Sequence, residues 1–152
     1  MNIRKAQRGD EGTILELIKG LAEFENEPNE VVNTAEKLGE DLFDKNLCEA
    51  LVITSSDQIV GFALYYTAYS TWKGPVLYLE DLYVLPDYRG TGAGSKLFDA
   101  VVNIAKESNC ARMDWQVLNW NTDAIAFYER KGAFIDKEWY NGRMFFPENE
   151  GK

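Results

Sequence analysis

Alternate glycines set between an apolar strand and an amphipathic helix constrain this chain more than any other feature. Residues 80–102 read E-D-L-Y-V-L-P-D-Y-R-G-T-G-A-G-S-K-L-F-D-A-V-V. The segment 76–84, rich in Tyr, Leu and Val, predicts a buried strand, and Pro86 marks the loop that leaves it. The loop runs Arg89-Gly90-Thr91-Gly92-Ala93-Gly94 and ends at Ser95. A helix follows at once, with Leu97, Phe98, Val101, Val102 and Ala105 on one stripe. Glycines ahead of a helix leave backbone N–H groups uncovered, and the helix dipole adds partial positive charge there. The construction suits a phosphate or pyrophosphate, and Arg89 adds a fixed charge.

Two nucleotide motifs fail on inspection. A Walker loop needs Gly-Lys before Ser or Thr, whereas Lys96 follows Ser95. A dinucleotide fingerprint needs a third glycine where Leu97 stands. What remains is Arg89-x-x-Gly92-x-Gly94.

The absence of histidine bounds the chemistry. Ser-His and Cys-His nucleophiles and histidine metal sites are excluded, so acid–base work falls to carboxylates, Tyr, Lys or Cys. No metal is expected. Cys48 and Cys110 have no disulfide or zinc spacing and read as two buried thiols. A net charge of −9 disfavours nucleic acid as partner and favours small cations, although solubility alone also accounts for it. No apolar run approaches membrane-spanning length and no basic-then-apolar leader opens the chain, so the expectation is a cytoplasmic protein without a membrane partner.

Along the chain, residues 1–6 predict a first strand. Asp10 stands as N-cap to a helix through about Phe24, with Ile14, Leu17, Ile18 and Leu21 inward. Glu23, Glu25, Glu27 and Glu30 crowd the end of that helix, where the dipole disfavours acids. They form either a solvated loop or a lip that attracts cations. Thr34 caps a second helix through Phe43 in this reading. Strands follow at about 49–54 and 59–66, joined by Ser55-Ser56-Asp57-Gln58, with a loop over 68–75. Trp72 with Tyr65, Tyr66 and Tyr69 forms either a cation-binding cage or ordinary core. A strand at 110–118 precedes a helix over 121–131 that stops at Gly132. Strands at 134–140 and 143–146 pair around Asn141-Gly142.

The Arg89–Gly94 loop resembles the coenzyme-A loop of the GNAT superfamily of N-acetyltransferases. The segment N-W-N-T-D-A-I-A-F-Y-E-R-K-G-A-F, residues 119–134, resembles a second signature of that superfamily, with Asn121 opening the helix and Tyr128 near its end. Y-S-T-W-K-G-P-V-L-Y-L-E-D-L-Y-V, residues 69–84, is similar to the spermidine/spermine (diamine) and thialysine acetyltransferases. The resemblance runs from residue 3 to about residue 132 and is loose beyond.

It implies an α+β fold, a mixed, mainly antiparallel central sheet flanked by helices, in one domain over 1–152 with 147–152 frayed. It implies acetyl-CoA as co-substrate, held by the amides of Leu82, Tyr83 and Val84, by the loop from Arg89 to Ser95, and by Asn121, Thr122, Asp123 and Ala124 at the start of the later helix. Glu80 becomes the base, acting through water; from the residues alone a buried ion pair is equally open. Asp81 faces the opposite side of a regular strand, and only a bulge brings both carboxylates to one place. Tyr128 becomes the acid that meets the coenzyme sulfur; the residues alone suggest a helix Tyr packed beside Phe127.

For the amine, the resemblance points to Phe24, Glu25, Glu30 and Trp72, with Asp114, Trp115, Gln116 and Trp120 lining a channel. Ser70 stands where the spermidine/spermine branch carries an acid. Ser70-Thr71-Trp72 looks like the thialysine branch, so a lysine-like amino acid and a short diamine are both open. The resemblance also implies a homodimer through the C-terminal segment, whose Trp139, Tyr140, Phe145 and Phe146 are costly to expose. Alternative readings are a protein or peptide acetyltransferase on the same fold, and a coenzyme-binding module without catalysis.

Overall fold

The structure is a computed structural model describing residues 1–152. Its contacts divide the chain into two compact units, Met1–Trp115 with Gly151–Lys152, and Gln116–Glu150.

The first unit is built on a five-stranded sheet in the order β1-β2-β3-β4-β5, formed by Asn2–Lys5, Glu49–Ser55, Gln58–Ser70, Gly74–Val84 and Arg112–Asp114. The first four strands pair antiparallel and β5 joins β4 in parallel, a mixed, mainly antiparallel sheet as expected. β3 is buried without interruption from Val60 to Tyr65, the pattern of a central strand covered on both faces. On one face, Ala50, Val52, Phe62, Leu64 and Tyr83 pack against Ile14, Leu15 and Leu17 of α1 (Glu11–Phe24) and Leu38 of α2 (Ala35–Gly39). Alternate residues face the other way, where α3 (Ala93–Glu107) lies over β2, β3 and β4 with Leu97, Phe98 and Val101 buried.

Local chemistry explains the joints. Thr34 accepts from the Lys37 amide at 3.1 Å and starts α2, as its sequence predicts. Over Glu40–Asp44 the helix widens into a π turn, with the Lys45 amide reaching back to the Glu40 carbonyl. Ser56 and Asp57 both take positive φ (50° and 64°), so the β2–β3 hairpin closes through the primed type of turn that matches strand twist.

Within the first unit, several expectations need correction. Asp10 sits at the N-cap position but makes no side-chain cap; its carboxylate accepts from Arg4 at 2.7 and 3.2 Å and from the Gln7 amide at 2.9 Å. Residues 68–75 are not a loop: β3 runs to Ser70, β4 begins at Gly74, and a tight turn joins them. The strand expected at 110–118 shortens to Arg112–Asp114.

The second unit holds α4 (Thr122–Arg130), started by Asn121, whose side chain accepts from the Ala124 amide at 3.2 Å, and ended at Gly132 with φ 92°. The strands expected at 134–140 and 143–146 do not form, so the Asn141-Gly142 hairpin is absent; Asn141 instead accepts from Gln116 Nε2 at 2.7 Å. A short 3-10 turn, Pro147–Asn149, stands where a frayed tail was expected. An alternating sequence is competent for a strand, but a strand exists only where a partner supplies the ladder.

Candidate active site

β4 carries the chain from the middle of the sheet to the glycine loop. A 3-10 turn, Pro86–Tyr88, follows it. Gly90 and Gly92 then take φ of 79° and 88°, conformations that a side chain would strain. The Thr91 hydroxyl donates to the Tyr88 carbonyl and ties the loop back on itself. Gly92 is the N-cap of α3 and has no side chain to cap with, so the first intrahelical bond is Lys96 amide to Gly92 carbonyl at 3.0 Å. The amides of Ala93 and Gly94 therefore run along the axis ahead of the first intrahelical bond, at the positive end of a fifteen-residue helix. Such an end accepts an anion. Arg89 donates through Nε to the Val84 carbonyl at 3.1 Å, and its guanidinium carbon lies 5.3 Å from the Phe24 ring centre and 5.4 Å from that of Tyr83.

Upstream of the loop, β4 breaks regular alternation. Leu64 pairs with Asp81 and Tyr65 with Leu79, leaving Glu80 as the extra residue of a bulge. The bulge re-aims the strand, and the charge of Glu80 acts on the adjacent Asp81. Burial, then the charges of Glu80 and Glu25, push the Asp81 carboxyl up to about 7. Glu25, the residue after α1, is itself raised by burial. The Tyr66 hydroxyl is raised by burial and by Glu80, and the Cys48 thiol by burial, Asp41, Glu49 and Glu80. This is a carboxylate-rich neighbourhood that gains by taking up a cation or a proton. The β4–β5 ladder covers only Val76–Tyr78 against Arg112–Asp114 and ends before residues 82–84.

The site residues expected from sequence separate into groups. Glu25, Glu80 and Asp81 share one electrostatic neighbourhood, and Leu82, Tyr83, Val84 and the Arg89–Ser95 loop continue from it along the chain. Glu30 sits on an exposed 3-10 turn, Pro28–Glu30. The Ser70 hydroxyl accepts from the amides of Trp72 and Lys73 at 3.2 and 3.1 Å and so serves the hairpin turn, while Trp72 is 85% exposed at its tip. The aromatic cage does not assemble: Tyr65 is buried, Tyr66 lies 5.2 Å from Tyr78, and Tyr69 is exposed. Asp114 is tied to Arg112 Nε at 2.8 and 3.0 Å, and Trp115 meets Phe98 edge-on at 5.4 Å. In the second unit, Asn121 opens α4 ahead of Thr122, Asp123 and Ala124, the Tyr128 ring stands edge-on to Phe127 at 5.3 Å, Gln116 is bonded to Asn141, and Trp120 is 48% exposed. Tyr66 and Cys48 were missed as neighbours of the carboxylates. Tyr66, two residues from Leu64 on the same strand face, was the one that alternation could have found.

The sequence matches the model of the Acetyltransferase (GNAT) family over residues 16–133. It is 41% identical over 140 residues to thialysine N-epsilon-acetyltransferase of Bos taurus, covering 86% of this chain and 82% of that protein. It is 40% identical over 139 residues to human spermidine/spermine N(1)-acetyltransferase-like protein 1, covering 86% of this chain and 20% of that longer protein. Among solved structures, a possible acetyltransferase from Clostridium difficile 630 superposes with a TM-score of 0.79 at 27% identity, over 95% of this chain and 98% of the other. The glycine-cradled helix end, the bulged carboxylate strand and these similarities agree: the chain belongs to the acetyltransferase (GNAT) family and is an N-acetyltransferase.

Proposed function

We propose that the protein transfers acetyl directly from acetyl-CoA to a primary amine of a small cationic substrate, a lysine-like amino acid such as thialysine or a short diamine. The observation that carries this reading is the β4 bulge, which sets Glu80 and Asp81 side by side immediately upstream of the uncapped, glycine-lined start of α3. The 41% identity to the bovine thialysine enzyme favours the amino-acid substrate.

The loop residues fit the co-substrate. Positive-φ glycines and the amides of Ala93 and Gly94 suit a diphosphate, with Arg89 adding charge. The backbone of Leu82–Val84 suits an extended pantetheine arm, because the β4–β5 ladder ends before it. The resemblance assigns Asn121 and the start of α4 to the coenzyme as well. When bound, acetyl-CoA supplies an activated acyl group that needs no enzyme nucleophile.

The chain's own residues handle the protons. An alkylammonium has a pKa of about 10.4, so only about one molecule in a few thousand is the free amine at neutral pH. Glu80, exposed and reached through water, accepts the proton the amine must lose. Asp81, held up to about 7, exchanges a proton in the same range, and Glu25 adds negative potential that draws the cation. Tyr128 donates to the departing thiolate. The chain works in the cytoplasm as a homodimer in this reading; no helix is long and apolar enough to cross a membrane.

Release of coenzyme thiol, followed across a panel of thialysine, lysine, ornithine, diaminopropane and spermidine, tests the reading. Thialysine or a short diamine should turn over well above the rate with water alone, and no turnover with any amine sinks it. Tyr128→Phe should lower kcat by about 100-fold, the lower end of the range for loss of an acid, with little change in coenzyme affinity. An unchanged rate removes Tyr128 from its role.

A further inference from the structure

The last turn of α1 carries no basic residue, although Glu23 and Glu25 stand there and a helix C-terminus favours cations. The cation comes from another segment. Arg89, at the mouth of the glycine loop, lies between the ring of Phe24, the final residue of α1, and the ring of Tyr83 on β4, at 5.3 and 5.4 Å. Its Nε is engaged by the Val84 carbonyl, which leaves the two terminal nitrogens to meet an anion.

Tyr83 is in turn locked against α1. A Cβ on Gly20 would come within 2.9 Å of the Tyr83 hydroxyl, so this helix-interior glycine is what lets the ring lie there. The next residue after Phe24 is Glu25, whose charge acts on Asp81. One guanidinium thus touches both the proposed phosphate loop and the helix end that aims a carboxylate at the proposed amine site.

We propose that the Phe24–Arg89–Tyr83 stack is a positioning device through which a phosphate-bearing ligand on the glycine loop fixes Glu25 and so strengthens binding of the cationic amine. The proposal rests on the function proposed above. It gives Phe24 a role distinct from direct amine contact: its ring holds the arginine, and the arginine holds the helix end. An anion on the loop orders the guanidinium, and the ordered guanidinium narrows the positions open to α1's last turn. By linkage the amine must tighten binding of the loop ligand by the same factor.

Calorimetric titration of thialysine into the full chain, with and without saturating coenzyme A, tests this. In the wild type, coenzyme A should tighten thialysine binding by about fivefold or more, within the usual range of site-to-site coupling. Phe24→Leu should reduce that factor to less than about twofold, and Phe24→Tyr, which keeps the ring, should restore it. A merely structural ring would weaken both ligands alike and leave the factor intact. Phe24 is 42% exposed, so its replacement leaves the core in place.

Full coupling in Phe24→Leu overturns the proposal. So does a wild type that binds coenzyme A and acetylates thialysine but shows no coupling, and that result leaves the proposed function standing. A wild type that neither binds coenzyme A nor turns over overturns both.

Discussion

Asp81 is raised by burial first and by the charges of Glu80 and Glu25 second, so ionising it costs the folded state more than the unfolded one. Between the unfolded value of about 3.9 and the folded value of about 7, the native protein keeps a proton that the unfolded chain has released. Stability therefore falls as pH rises through that window. Asp81→Asn removes the dependence. At pH 8 the variant should melt above the wild type by about 10 °C, since moving the carboxyl from about 3.9 to about 7 is worth up to about 4 kcal/mol, and at pH 4 the two should coincide. Thermal melts across pH check it, and a variant equally destabilised at both ends would mean that Asp81 is a packing residue. The same substitution should flatten the rise of kcat/KM around neutral pH. Glu80→Gln should instead lower kcat at every pH, by about 100-fold or more. Strain of this kind, accepted at a bulge for the sake of a proton, is common where a residue does chemistry.

At the scale of elements, two residues with the same expected role behave differently, and a stability comparison separates them. Thr34 is an ordinary cap, and Thr34→Ala should cost about 1 kcal/mol. Asp10 fastens β1 to the start of α1 through a charged, bidentate contact with Arg4, the carboxylate covered and the guanidinium partly exposed. Asp10→Ala should cost about 2–3 kcal/mol, because it strips a partner from a charged hydrogen bond. The Arg4 hydrogen bond is also the main reason the Asp10 carboxyl lies below its ordinary value. That stability is present above the unfolded pKa and is lost as pH falls through the lower folded one. Urea unfolding at pH 7 and pH 3 checks both the size and the sign. The comparison also shows what sequence could reveal. The α1 stripe, the Thr34 and Asn121 caps, Gly132 and the loop before α3 were legible, because periodicity, capping and positive φ are written locally. The bulge at Glu80 was not, since it depends on how β3 and β4 keep register over a long ladder. Nor were the destinations of Asp10 and Ser70, because a short polar side chain has several backbone groups within reach and local sequence does not choose among them.

For the whole molecule, the segment 133–146 is where pattern and structure part company, and it carries the proposal that the chain works as a dimer. It reads as two alternating strands around Asn141-Gly142, yet it holds no ladder. Its large side chains face solvent: Phe134 at 85%, Trp139 at 77%, Tyr140 at 101%, Met144 at 82% and Phe145 at 77%. Aromatic side chains bury about 150–250 Å² each when covered, so these four with Phe146 approach the roughly 800 Å² that each partner contributes to a standard interface. A second copy would supply both the strand partner and the cover, and a closed two-fold contact leaves no exposed edge for further growth. The negative charge of each chain opposes association only weakly at physiological salt, where its range is about 8 Å. Sedimentation at micromolar concentration should therefore give twice the 17.3 kDa chain mass. Replacing Trp139 and Phe145 together by Ser should halve that mass and lower the melting temperature, while the chemistry of β4 and the glycine loop stays encoded in each chain. A wild type that sediments as a monomer at tens of micromolar would leave these aromatics unexplained and remove the dimer from the account.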